Sequence, residues 1–138
     1  MLIAAMFVLS CLYVSADEKP VEESVLHIME TDIVPAADIL WGADDPQSKE
    51  EWESLDAAAE NILRASQALS KGGSGPGDKE WASDARWQSL LESLSEAAHR
   101  AQAAIRKQDL DALYDAGDEL YPPCETCHKL FNPALVNQ

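Results

Sequence analysis

Basic residues are scarce in this chain. Ten Lys and Arg stand against 25 Asp and Glu, giving a formal net charge of −15. That balance argues against nucleic acid or an anionic membrane surface as partner and permits a basic docking partner, although it also serves plain solubility. Cysteine is scarcer, three residues in 138, so a core rather than a disulfide framework must hold the fold. No stretch alternates apolar and polar residues as a strand does, and no βαβ pattern appears. The glycine-rich run from Lys71 to Gly77 lacks the preceding strand and the Gly-Lys-Ser/Thr ending of a phosphate cradle, and reads as a loop. No Ser/His/Asp arrangement or carboxylate pair can be placed by spacing, so a hydrolytic enzyme is not supported, and no enzyme is expected.

Long apolar runs are confined to the amino end. Leu2 to Leu9 is apolar, Leu12-Tyr13-Val14 extends it, and Val14-Ser15-Ala16 offers small residues for cleavage. The stretch is too short to span a membrane and reads as a secretory signal over residues 1–16, although no Lys or Arg precedes it. Val8-Leu9-Ser10-Cys11 matches a lipoprotein site poorly, because Leu9 is bulky and apolar residues follow the cysteine. Residues 17–138 then form one domain, exported to the periplasm and without a membrane span. All the charged residues lie beyond Ala16.

The rest of the chain is helical in pattern. Val25, Ile28, Met29, Asp32 and Ile33 follow helical spacing until Pro35, which ends or kinks the helix; Ala36 to Trp41 continues it as an offset segment, stopped by Gly42. Asp44-Asp45-Pro46 reads as a cap with proline at the first helical position. From there Trp52, Leu55, Ala59, Ile62, Ser66 and Leu69 mark a helix to about Ser70. The next begins at Ser83 or Asp84 and carries Trp87, Leu91, Leu94, Ala98, Ala101 and Ile105, with His99 toward solvent. Asp109 caps a last helix whose inner face is Leu110, Leu113, Tyr114, Gly117, Leu120 and Tyr121. Pro122-Pro123 should interrupt it and open a new helical segment. The expected fold is all-α, an antiparallel four-helix bundle.

That last segment holds Cys124-Glu125-Thr126-Cys127-His128. Two cysteines three apart with a histidine after the second is the c-type haem attachment pattern. Residues i and i+3 share one helix face, so both thiols can reach the vinyl groups of one porphyrin, and His128 can offer a ring nitrogen to the iron. A redox dithiol would be expected beside a βαβ pattern. A zinc site needs further ligands, and the remaining cysteine, Cys11, lies in the segment expected to be removed. The reading is one haem c, bound covalently by Cys124 and Cys127 with His128 as axial ligand.

A haem motif at the carboxyl end of a four-helix chain resembles the cytochrome c′ group, the class II c-type cytochromes. Gly75-Pro76-Gly77 followed by Glu80-Trp81-Ala82-Ser83-Asp84-Ala85 is similar to that family's loop and third-helix start. Asp109-Leu110-Asp111-Ala112-Leu113 with Gly117 is similar to its final helix. The resemblance covers roughly Val21 to Asn132. Three features depart from it: Pro122-Pro123 within the haem helix, Asn132 where a basic residue is common (Lys129 keeps one charge close), and Pro35 with Trp41 in the first helix.

The resemblance places the distal face of the haem on the first helix. It implies two alternatives for the sixth position. Met29 fills it, with Leu26 in the distal pocket, and the protein transfers single electrons to a redox partner. Or the iron is five-coordinate, Met29 is core filler, and the protein binds NO or CO. His27 falls on a different face and reads as a surface residue. Electron transfer is the favoured reading, by a monomer or homodimer.

Overall fold

The computed structural model describes residues 23–136; the expected signal segment and Cys11 lie outside the described residues. The fold is all-α, with no strand among the described residues. Helix α1 (Val25–Ile28) runs through a π turn (Met29–Ile33) into α2 (Val34–Trp41). Then come α3 (Lys49–Leu69), a short α4 (Asp78–Ser83), α5 (Ala85–Lys107), α6 (Leu110–Phe131) and α7 (Pro133–Val136). None of these helices is long and apolar enough to cross a membrane.

The stripes read from the sequence form the core. Leu55, Ala59, Ile62, Ser66 and Leu69 of α3 are buried, as are Trp87, Leu91, Leu94, Ala98, Ala101 and Ile105 of α5. Helix α5 packs along α3 on one side and α6 on the other, and α2 lies against α3 and α6. Trp87 is the largest fully buried side chain, and its Nε1–H donates to the Leu69 carbonyl at 2.9 Å. The same carbonyl, in the last turn of α3, also accepts from the Gly72 amide at 3.1 Å, so the indole is its second donor.

Caps fix most of the boundaries. Asp84 and Asp109 cap α5 and α6, accepting from the amides of Arg86 and Ala112. The expected start at Asp44-Asp45-Pro46 is corrected: α3 begins three residues beyond Pro46, where Ser48 and Glu51 form a capping box. Ser48 Oγ accepts from the Glu51 amide and Glu51 Oε2 accepts from the Ser48 amide, two orphan donors satisfied at once. The amides of Gln47 and Ser48 hold the Glu51 carboxyl below the usual carboxylate range.

Three further expectations change. Pro122 and Pro123 lie inside a continuous α6. Each removes one amide donor, but Leu113, Ala116, Gly117, Leu120, Pro123 and Cys127 form one buried stripe across the site, and packing of that stripe outweighs the local break. The acceptors left without an amide are the carbonyls of Asp118 and Glu119, both exposed residues. Tyr114 and Tyr121 lie off that stripe and are 44 % and 56 % exposed rather than inward. Near Pro35 the helix does not end; it widens. The Val34 amide bonds to Met29 O, five residues back, and this π turn relieves the clash between the proline ring and the carbonyl four residues before it.

The glycine-rich loop is tied to the start of α1. Asp78, buried, accepts at Oδ2 from the amides of Val25 (2.9 Å) and Gly75 (2.8 Å), and the Ser74 amide donates to Glu23 O at 3.3 Å. A Cβ on Gly73 would sit 2.7 Å from Asp78 Oδ2 and clash with Glu23 O. The loop therefore needs glycine where two backbones touch.

Candidate functional site

A cavity of about 340 Å³ opens between three helical segments, within the range of about 300–1,000 Å³ common for ligand sites. One wall is α6, contributing Tyr121, Pro123, Cys124, Glu125, Cys127 and His128. The second is the π turn and α2, with Met29, Ile33, Val34, Ala37, Asp38 and Trp41. Leu90, Leu91 and Leu94 of α5 close the third. The lining is mostly apolar, and its acidic members are Asp38 and Glu125.

The carboxyl end of α6 is held firmly. Phe131, three residues after His128, stacks edge-on against Trp87 at 5.1 Å between ring centres and meets Trp81 at 6.3 Å. The Arg86 guanidinium lies 5.8 Å from the centre of the Phe131 ring. The Asn132 amide donates back to His128 O at 2.9 Å. Lys129 pairs with Glu125 at 2.9 Å across one turn, so its charge is neutralised at the cavity edge.

Cys124 and Cys127 are free thiols on one face of α6. Burial pushes both up, Cys127 to about 11 with the neighbouring Cys124 sulfur adding to the effect. A redox dithiol works through a lowered thiolate pKa at a helix amino end. These thiols lie in the second half of α6, away from any helix amino end. That environment does not suit a dithiol exchange site. Among the described residues, no group of three or more His, Cys, Asp and Glu is placed to hold a metal ion. A haem iron would take its equatorial ligands from the porphyrin and only axial ones from the protein; His128 and Met29 on the cavity wall are the residues that could supply them.

The site residues read from the sequence fall in different places. Cys124, Cys127, His128 and Met29 share the cavity. Leu26, expected in the distal pocket, does not: it is 62 % exposed and lies off the cavity wall. Val25 and Ile28 are the buried residues of α1, and Leu26 falls about 100° round the helix from Val25. His27 is exposed and lies 3.7 Å from Glu23, on the surface as expected. Sequence reasoning did not single out Val34, Trp41, Tyr121 and Leu90 as lining residues. Leu91 and Leu94 were visible as a stripe, and Trp41 as an aromatic without an assigned role.

Comparison with protein-family models, curated proteins and solved structures found no match. The functional reading therefore stands on the site alone.

Proposed function

We propose that this chain is an exported, periplasmic c-type cytochrome of the cytochrome c′ type, an antiparallel four-helix bundle carrying one haem c and transferring one electron at a time. The observation that supports it is the meeting of Cys124, Cys127, His128 and Met29 on a single apolar cavity. Cys124 and Cys127 would hold the haem as thioethers, each S–H adding across a vinyl group with no oxidant needed. His128 would hold the iron through a ring nitrogen and Met29 through its sulfur, a ligand pair that would raise the potential. The protein is a carrier rather than an enzyme.

A second reading has one observation in its favour. The cavity that Met29 lines is also walled by Ile33, Leu91 and Leu94, apolar surroundings that suit a small uncharged gas such as NO or CO on a five-coordinate iron.

One preparation tests both. Purified protein extracted with acidified acetone should stay coloured and carry the added mass of one haem; colourless protein would overturn the assignment. The visible spectrum then divides the readings. A low-spin ferric form supports electron transfer, and a form that is high-spin in both redox states supports gas binding.

A further inference from the structure

The cavity mouth is bordered by an exposed apolar strip built from two helices. On α2, Val34 and Trp41 stand two turns apart, both exposed and both on the cavity wall. On α6, Tyr114 and Tyr121 are spaced likewise, so they share a face, and Trp41 lies against Gly117 between them. Tyr121 also reaches the cavity wall. Single exposed apolar residues need no explanation, but four on adjoining helices beside a cavity mark a contact surface.

The charge around the strip has one sign. Asp38 stands three residues before Trp41, Asp111 three before Tyr114 and Asp118 three before Tyr121, all exposed. The cations bound to α6 carboxylates are already paired, Lys129 with Glu125 and Arg100 with Glu119. Aromatic anchors within a charged rim are the anatomy of a protein interface, the anchors giving affinity and the rim steering the encounter. A second copy of this chain would set −15 against −15, whereas a cationic face complements the rim.

The geometry points to this strip as the docking surface for a redox protein with a basic face, which would bring the partner's redox centre to the cavity mouth. The inference rests on the haem reading above. The test is stopped-flow electron transfer between the purified holoprotein and a lysine-rich cytochrome c as probe. Asp111→Lys/Asp118→Lys is compared with Glu50→Lys/Glu92→Lys, which changes net charge equally at exposed positions on α3 and α5. At low salt the strip variant should react at least about tenfold more slowly than the parent and the control less than about threefold, the difference fading as salt screens the charges. Tyr114→Ala, off the cavity wall, should slow the reaction several-fold with an unchanged visible spectrum. Equal losses in the two lysine pairs would overturn the docking surface while a coloured, redox-active protein leaves the haem reading standing. A colourless parent would overturn both. A parent dimer that Tyr114→Ala splits would overturn the heterologous partner in favour of a second copy.

Discussion

The Nε1–H of Trp41 donates to the carbonyl of Gly117 at 2.9 Å, fastening α2 to α6 at the edge of the cavity. Trp41→Phe keeps the ring and removes the donor, so stability should fall by about 0.5–1.5 kcal/mol in urea unfolding. Gly117→Ala should act oppositely. Its new Cβ would meet Trp41 Cδ1 at 3.5 Å, ordinary contact, while alanine in a helix interior gains about 0.5–1 kcal/mol over glycine. A destabilised Gly117→Ala would mean that the indole stands closer than this.

On the proposed haem reading, Met29→Ala should open the sixth position of the iron. A weak far-red band from sulfur-to-iron charge transfer should disappear, the reduction potential should drop, and the ferrous protein should bind carbon monoxide that the parent takes up poorly. A parent that binds carbon monoxide at once would assign Met29 to packing alone.

Asp78→Ala leaves the Val25 and Gly75 amides without their buried acceptor. The expected loss is about 1–3 kcal/mol for each uncompensated group, read as a lower thermal midpoint. Gly73→Ala should damage the same junction, since its Cβ would run into Glu23 O and Asp78 Oδ2. Unchanged midpoints in both variants would show that the loop does not hold α1.

Asp84 gives a pH-dependent test. The Arg86 side chain and amide lower its carboxyl from 3.8 to about 2. A depressed folded-state pKa contributes stability above pH about 4, lost as pH falls through about 2. Asp84→Asn keeps a capping side chain without the charge. Its thermal midpoint should lie slightly below the parent's at pH 6, the pair being solvent-screened, and the gap should close between pH 4 and 2. A gap that persists at pH 2 would assign the effect to cap geometry.

The long helices were legible because their apolar residues recur without interruption and their caps are strong. Asp84 and Asp109 are examples, and the burial of Trp87, Leu91 and Leu94 follows directly from the pattern. Three of the four candidate site residues on the cavity were equally legible in one short motif, since Cys124, Cys127 and His128 are neighbours in the chain. What escaped depends on contacts between distant residues. Asp78 acts on Val25, 53 residues away, and no local pattern announces that pairing. At Pro122-Pro123 a local rule met a long buried stripe and yielded to it. The Ser48–Glu51 box was readable two residues past Pro46, but the Asp-Asp-Pro signal drew attention first. Tyr114 and Tyr121 look like core by type, but each stands one residue, about 100° round the helix, past the buried Leu113 and Leu120.

The π turn at Met29–Ile33 holds one residue more than the α turn it replaces. Excising a single residue there would let the helix run on as α while rotating everything before it by about 100°. Val25 and Ile28 would leave α3, and a neighbour of Met29 would face the cavity in its stead. One codon lost at this turn thus exchanges the side chain turned toward the cavity without altering any cavity residue on α5 or α6. Descendants of this chain could change the chemistry of the site by length alone.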